Sequence, residues 1–241
     1  NFKSFSEIDV ELSRVCVVIG SNAAGKSNFI SAFKFLRDIA RHGVVNAIAM
    51  QGGADYIRNA KIGNERDLAV QVTYEPDHGE EVMDRTDKGG SILEVRSCES
   101  SYEFALHFNA TGDGFSVVRD RLLIGCEISS CKNGRNQKGK KQVIGKGSIG
   151  VSSEKGVVQY TVDIPAGCSL TENDVIPLFF RGKQLPERTL LLETFYGYPL
   201  PHLEKFFDRI AVYDLDPKLP KKGTVITGKR ELDEDGGNLA L

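Results

Sequence analysis

The chain has 241 residues, of which 40% are hydrophobic and 27% are charged. This size and composition favour one large or two small globular domains, and they exclude wholesale disorder and collagen-like repeats. Lys and Arg number 31 against 33 Asp and Glu, a net charge of −2, so any nucleic-acid contact must come from a local basic patch.

Several sequence features bear on location. Apolar runs such as Val15 to Ile19 are far shorter than the roughly 20 residues that cross a bilayer, so no membrane partner is expected. The five cysteines form an odd set without a CxxC pair, and no secretory leader pattern opens the chain. We therefore expect a cytoplasmic protein. The chain starts at Asn1 inside what looks like a structural element, and we expect further residues upstream.

The first predicted elements are two strands. From Ile8 to Leu12, apolar residues alternate with acids, which predicts a strand with one solvent-facing side. The continuous β-branched run from Val15 to Ile19 predicts a second strand that is covered on both faces of a sheet.

An amphipathic helix is predicted next, after a loop at 20–26. Its apolar residues recur at steps of three and four as far as about His42, and Gly43 supplies a stop. The predicted buried stripe consists of Phe29, Ile30, Phe33, Leu36, Ile39 and Ala40.

From residue 68 the pattern predicts a meander of antiparallel hairpins. Its alternating segments are Leu68 to Tyr74, Ile92 to Val95, Tyr102 to Phe108, Phe115 to Val118, Leu122 to Ile128 and Val157 to Ile164. Two polar, Gly-rich stretches without periodicity, 76–91 and 130–148, predict long surface loops. Helical spacing returns at 190–195 and 203–207, and 210–213 has a strand-like pattern.

The sharpest signal is the segment Gly20 to Ser27, Gly-Ser-Asn-Ala-Ala-Gly-Lys-Ser, a complete G-x-x-x-x-G-K-[ST] string. It lies between a predicted buried strand and a predicted helix, as phosphate binding requires. The glycines let the main chain present N–H groups to phosphate oxygens, and the helix N-terminus adds its dipole. The helix dipole contributes only about 0.3 to 1 kcal/mol, while micromolar binding needs about 8 kcal/mol. A positively charged side chain must therefore also contact the phosphates.

Lys26 is the candidate for that charge and the candidate catalytic residue, and the Ser27 hydroxyl is the candidate Mg²⁺ ligand. The predicted cofactors are therefore ATP and Mg²⁺. The candidate nucleotide-binding residues are Asn22, Ala23, Ala24, Gly25, Lys26, Ser27 and Asn28. Two other interpretations remain open: a Gly-rich turn without a ligand, and a site that binds nucleotide without hydrolysing it.

Two segments resemble a known family. Asn1-Phe2-Lys3-Ser4-Phe5, followed by the Gly20 to Ser27 loop, resembles the opening of the RecF/SMC-type branch of the ABC ATPase superfamily, in which an N-F-[KR]-S element precedes a G-x-N-x-x-G-K-S loop. Asn22 and Asn28 are typical of this branch. The closing 233–240 segment is similar to the D-G-x-N-L-A segment of RecF-like and OLD-like ATPases, whereas the middle aligns only by its β-rich character.

The resemblance implies an α/β P-loop NTPase fold, with a central mixed sheet and a lateral antiparallel β subdomain, as in the N-terminal lobe of an ABC-type head. It implies an ATPase that forms a homodimer with ATP sandwiched between two heads, and that acts on DNA in repair, chromosome maintenance or phage defence. It also makes Lys3 a candidate phosphate or ribose contact, with a solvated lysine on an edge strand as the alternative.

The expected organisation is a P-loop core over 1–60, a β-rich subdomain over about 68–165, and a segment over 166–241 that leads to a C-terminal lobe beyond the chain. An LSGG-like signature, an apolar strand ending in Asp-Glu and a switch histidine are not found in the sequence. Leu190 to Glu193 lacks the aspartate, and Leu215 follows Asp214 where a glutamate is expected. Hydrolysis is therefore expected to need the C-terminal lobe and dimerisation.

Two alternative functions stay open. One is a non-hydrolysing scaffold whose bound ATP sets the conformation of an effector. The other is a self-contained P-loop kinase or GTPase that uses Asp214 to hold Mg²⁺.

A basic run is a candidate DNA contact, with a solvated loop as its alternative. Its residues, without an acid among them, are Lys132, Arg135, Lys138, Lys140, Lys141 and Lys146. A lobe-linking glutamine cannot be chosen among Gln51, Gln71 and Gln159.

Overall fold

A computed structural model describes residues 1–75, 81–86, 91–110, 114–134, 137–176, 178–194, 206–216, 218–219, 232–233 and 235–238. Three helices near the N-terminus and an antiparallel sheet contribute side chains to one hydrophobic core. Phe35 and Ile39 from the helices and Tyr102 and Phe104 from the sheet are among its most deeply buried members.

Helix α1 spans Lys26–His42 and is followed by α2 (Val44–Met50) and α3 (Ala54–Ile57). The predicted helix and its stop are confirmed, because Gly43 takes a φ of 81° and its N–H donates a 2.8 Å hydrogen bond to the Ile39 carbonyl.

The buried stripe of α1 differs from the predicted one. Phe35, Leu36 and Ile39 are buried, whereas Phe29 is half-buried and Ile30 is 45% exposed. The most deeply buried part of the apolar face therefore lies in the second half of the helix. Periodicity identified the helix, but it could not tell which turns the rest of the chain covers.

All pairings in the sheet are antiparallel, in the order β1-β3-β4-β5-β6, with β2 also pairing β3. The strands are β1 (Leu68–Tyr74), β2 (Glu81–Thr86), β3 (Ser91–Phe108), β4 (Phe115–Gly134), β5 (Gln137–Glu154) and β6 (Val157–Asp163). The predicted antiparallel meander is confirmed. The predicted central mixed sheet is not found, since no parallel pair occurs among the described residues.

Strand β3 joins two segments that were predicted separately, 92–95 and 102–108. The polar residues between them hide the continuity, and the register of the β3–β4 pairing shifts between Ser97 and Ser100. Such a shift marks a bulge, which lets a strand continue where its alternation breaks. Strand β4 likewise joins 115–118 to 122–128.

The prediction of two long loops, at 76–91 and 130–148, was wrong for the residues that the structure describes. Strand β2 lies within 76–91, and the ends of β4 and β5 form a hairpin within 130–148, where Asn133 pairs with Lys138. The side chains there are polar, but neighbouring strands still supply main-chain hydrogen bonds, which composition alone does not reveal.

The prediction of two strands, Ile8 to Leu12 and Val15 to Ile19, was also wrong. Residues 6–20, all described, contain no strand, and Val15, Val17 and Ile19 are 82%, 81% and 86% exposed rather than buried. A strand needs a neighbour for its N–H and C=O groups, and no described residue pairs with this segment. The segment instead runs in an extended form with a turn at Ser13, whose hydroxyl donates to the Val15 carbonyl at 2.8 Å.

The C-terminal part contains α4 (Glu172–Val175), 3₁₀ helices at Leu178–Phe180 and Leu191–Glu193, and a helical turn at 206–208. The predicted strand at 210–213 is wrong, because this described segment is extended without a strand partner among the described residues. Phe207 is buried, with its ring centroid 6.4 Å from that of Tyr102, and so fixes this part to the sheet.

Candidate nucleotide-binding site

The predicted phosphate-binding loop, residues 20–27, turns back on itself where it meets the start of α1. Gly25 has a φ of 93°, and its carbonyl accepts the Phe29 N–H at 2.9 Å, the first hydrogen bond of the helix. Ala23 also has a positive φ of 63°, and the Ala24 N–H donates to the Ser21 carbonyl at 3.3 Å. Left-handed residues that alternate with other conformations can turn successive N–H groups into the concave main chain that binds anions.

Lys26 reaches back across this loop. Its Nζ donates hydrogen bonds to the carbonyl oxygens of Gly20 at 2.8 Å and Ser21 at 2.7 Å. Both acceptors are neutral, and no ion pair to Lys26 is found among the described residues. An anionic phosphate oxygen is a stronger acceptor for an ammonium group than a neutral carbonyl is, so this lysine can exchange these partners for phosphate.

The neighbouring predicted residues differ in their contacts. Asn22 and Ser27 are exposed, and the Ser27 hydroxyl makes no hydrogen bond within the described chain. The Asn28 side-chain amide instead donates to the Ser4 hydroxyl at 2.8 Å. The described residues contain no group of three His, Cys, Asp or Glu side chains that could hold a metal.

The N-terminal element packs on the start of the helix. Phe2 and Phe5 exchange main-chain hydrogen bonds of 2.9 and 2.8 Å, which folds the element into a tight turn with Lys3 at a φ of 47°. A Cβ added to Gly25 would lie 3.1 Å from Ser4 Oγ and 3.2 Å from the Phe5 ring. The N-F-K-S segment therefore lies directly against the loop–helix junction.

Asn1 has a positioning role that the sequence did not suggest. Its side-chain amide donates to the carbonyls of Gly63 at 3.0 Å and Arg66 at 2.7 Å, and its Oδ1 accepts the Asn59 N–H at 2.9 Å. These contacts fix the N-terminal element to the 59–66 turn.

Lys3 is also tied to that region. Its N–H donates to the Ile57 carbonyl at 2.8 Å, and its Nζ lies 5.9 Å from the centroid of the Phe2 ring. Partial burial and, to a smaller extent, the nearby charge of Lys34 lower the pKa of the Lys3 ammonium. Both effects disfavour the charged form, whereas an anion bound beside Lys3 would favour it.

A groove of about 310 Å³ opens beside the loop. Ala24, Gly25 and Lys26 form its end at the loop, and the remaining wall is apolar apart from Glu11. Sequence analysis missed it because the extended segments 8–12 and 16–19 that line it were expected to be paired strands.

A family of AAA domains, described as a putative AbiEii toxin of type IV toxin–antitoxin systems, matches residues 15–90. The match supports membership of the AAA/P-loop ATPase superfamily. The matched segment, about a third of the chain, includes the predicted phosphate-binding loop, helices α1 to α3 and strands β1 and β2, and the match supports a nucleotide-binding function for this segment. No curated protein and no solved structure matches the chain. None of the described helices is both long and apolar enough to span a membrane.

Other predicted site residues are not brought to the loop. Asp214 is exposed and, among the described residues, makes no hydrogen bond or ion pair. In the basic run, Lys141 forms a 2.9 Å ion pair with Glu94, and Lys146 is exposed on β5. Arg135 and the side chains of 132, 138 and 140 lie outside the described residues.

A buried carboxyl group links the sheet to the 191–193 turn. Asp120 on β4 is 1% exposed, and its two oxygens accept the Tyr102 hydroxyl at 2.9 Å and the Leu191 N–H at 2.6 Å. Burial raises the pKa of Asp120 to about 7. The neighbouring Glu193, whose pKa burial also raises, accepts main-chain hydrogen bonds from Leu190 and Val44. Sequence analysis had no signal for this network, because its members are distant along the chain.

Proposed function

We propose that the chain is the ATP-binding part of a RecF/SMC/OLD-like ATPase that hydrolyses Mg-ATP and acts on DNA. The observation that carries the proposal is the Lys26 ammonium group, held by carbonyls of its own loop at the start of a 17-residue helix. The packing of Ser4 and Phe5 on Gly25 supports the RecF/SMC-type branch, because the resemblance implies an N-F-[KR]-S element beside the nucleotide.

The chain's own groups would bind the triphosphate in a definite way. Lys26 has three N–H donors, and phosphate oxygens would replace the Gly20 and Ser21 carbonyls as their acceptors. Main-chain N–H groups of the loop and the N-terminus of α1 would face the same anion.

Mg²⁺ fits this donor set, because it prefers oxygen ligands and the exposed Ser27 hydroxyl has no other described partner. When bound, the ion would neutralise part of the charge of the phosphates.

The homodimer belongs to the same proposal. The resemblance implies that a second head covers the ATP and completes the catalytic groups. Asn22, Ala23 and Ser27 are exposed, which leaves this face of the loop accessible to such a partner.

Action on DNA is supported by the position of the basic run. Lys132 and Lys138 lie by main-chain register near the end of the β4–β5 hairpin, and Lys141 and Lys146 follow along β5. Positive residues that neutralise phosphates make binding strongly dependent on salt concentration.

ATP turnover by the full-length protein, measured with and without duplex DNA, tests the proposal. We expect the wild type and Lys183→Ala, a change at an exposed lysine away from the loop, to hydrolyse ATP, and Lys26→Ala to be inactive. ATP binding without turnover would overturn hydrolysis and favour the scaffold. A preference for guanine nucleotides, or transfer of phosphate to a small acceptor, would overturn the proposed function in favour of the kinase or GTPase. Turnover that is indifferent to DNA at every salt concentration would contradict action on DNA.

A further inference from the structure

We propose that the outer edge of strand β1 is an interface at which two copies of the chain join their sheets. β1 is the first strand in the order β1-β3-β4-β5-β6, so β3 pairs with one of its two edges. No main-chain hydrogen bond from a described residue reaches the other edge. The N–H and C=O groups along such an edge can bind another strand, and the occupant that fits is a second copy of β1.

Strand β1 lacks the features that normally keep sheet edges apart. It contains no charged residue and no proline, and its pairing with β3 runs from Leu68 to Tyr74 without a register shift. Natural edge strands are usually protected by a lysine, a proline, a bulge or a covering segment. At the opposite end of the sheet, β6 carries Asp163, and residues 183–185 form hydrogen bonds with the start of this strand. Of the two end strands, β1 is therefore the one suited to pairing.

The side chains of β1 leave apolar surface at this edge. Leu68 is fully buried, but Val70 and Val72, on the same core-facing side of the strand, are only half-buried. The alternate residues are exposed and uncharged, and they are Ala69, Gln71 and Thr73. A strand placed beside β1 would cover the two valines and meet no charge on the exposed side.

The apolar side of β1 is complementary to itself. In an antiparallel pairing of two copies centred on Val70, each Val70 faces the same residue of the second copy, and each Leu68 faces Val72. Aliphatic side chains directly opposite each other on neighbouring strands stabilise a sheet. Both copies use the same patch, so the contact closes on itself as a two-fold dimer.

The charges that flank β1 select this register. Centring on Val70 places Asp67 of one copy opposite Thr73 of the other, so no like charges meet. Centring on Gln71 would instead place Asp67 opposite Glu75, and like charges directly opposite are destabilising.

This interface is separate from the proposed nucleotide site and does not rest on the proposed function. It uses main-chain groups of β1 and so needs no ATP, whereas the ATP sandwich does. A single pair of strands is a small contact, and interfaces below about 1,200 Å² belong to weak or transient complexes. We therefore expect a reversible dimer that depends on protein concentration.

Sedimentation equilibrium of the full-length protein without nucleotide tests the interface. The average mass of the wild type and of Lys26→Ala should rise with concentration toward that of a dimer. Val70→Lys should remain monomeric over the same range, because it places two lysines directly opposite each other. Val162→Lys changes a half-buried valine of β6, at the other end of the sheet, and should associate like the wild type.

A charge exchange separates lost pairing from lost folding. Val70→Glu should also be monomeric, but its equimolar mixture with Val70→Lys should associate, because opposite charges then face each other. The interface would be overturned by a monomeric wild type, by wild-type association of Val70→Lys, by a monomeric mixture, or by equal loss in Val162→Lys. Association that requires Mg-ATP and is lost in Lys26→Ala would overturn it in favour of the ATP sandwich.

Discussion

The side-chain amide of Asn28 donates a 2.8 Å hydrogen bond to the hydroxyl of Ser4. Asn28 lies in the first turn of α1, directly after the phosphate-binding loop, and Ser4 belongs to the N-terminal element. The bond therefore joins the two segments that carry the family resemblance, and it holds the N-terminal element against the start of the helix.

The first prediction concerns this bond. Asn28→Ala and Ser4→Ala should each lower the free energy of unfolding by about 1 kcal/mol, and the double variant should lose less than the sum. Urea denaturation of the four proteins measures the coupling. Additive losses would show that the two side chains do not stabilise each other.

The second prediction concerns Gly25. In Gly25→Ala the new Cβ would lie 3.1 Å from Ser4 Oγ, on a residue whose φ is 93°. Gly167 has a similar φ of 87°, but a Cβ added there would have no atom within 4 Å. A left-handed alanine costs about 1–2 kcal/mol in both, and only Gly25→Ala adds a steric cost. We expect Gly25→Ala to have the larger loss in urea denaturation and to weaken ATP binding. Equal losses would contradict the packing of the N-terminal element on the loop.

The third prediction tests the corrected face of α1. Ile39 is fully buried, whereas Ile30 on the same helix is 45% exposed. Ile39→Ala should lower the free energy of unfolding by about 2–5 kcal/mol, and Ile30→Ala by less than about 1 kcal/mol. Thermal and urea unfolding measure both. A larger loss of unfolding free energy for Ile30→Ala than for Ile39→Ala would show that the buried stripe lies where periodicity predicted it.

The parts that could be predicted from sequence were those fixed by local chemistry. The 3.6-residue period and Gly43 defined α1, and strict alternation defined β1 with its bounds at Leu68 and Tyr74. The loop was identified by residue types, because few other strings combine tight glycine turns with a lysine at a helix start. Its role in binding nucleotide remains a prediction.

The parts that could not be predicted depend on distant partners. Val15 to Ile19 has the composition of a covered strand, but composition does not provide the neighbouring strand, and the segment is exposed. Residues 137–142 are polar and were expected to form a loop, yet pairing with β4 makes them part of a strand. The groove and the contacts of Asn1 likewise depend on how separate segments meet.

The fourth prediction is a pH dependence of stability. Burial raises the pKa of Asp120 from an ordinary 3.8 to about 7, so the folded state holds a proton that the unfolded state releases. Between these values folding binds protons, and stability must fall as the pH rises, by about 4 kcal/mol at most. Tyr102 and Glu193 face the same carboxyl group, and the raised pKa of Glu193 acts in the same direction.

Urea denaturation from pH 4 to 8 measures this effect. Asp120→Asn removes the titrating group, so its unfolding free energy should decline less with pH than that of the wild type. Asp163→Asn, a change at an exposed residue of β6, should follow the wild type. Parallel curves for the wild type and Asp120→Asn would show that Asp120 does not hold a proton in the folded protein.

The most direct test of the central claim is calorimetric titration of Mg-ATP into the wild type and Lys26→Ala, with Lys183→Ala as the control. We propose the Lys26 ammonium group, which now donates to two loop carbonyls, as the charge that the loop needs to reach micromolar affinity. The account predicts saturable binding by the wild type and Lys183→Ala, and no measurable binding by Lys26→Ala. Equal affinity of Lys26→Ala and the wild type would contradict it.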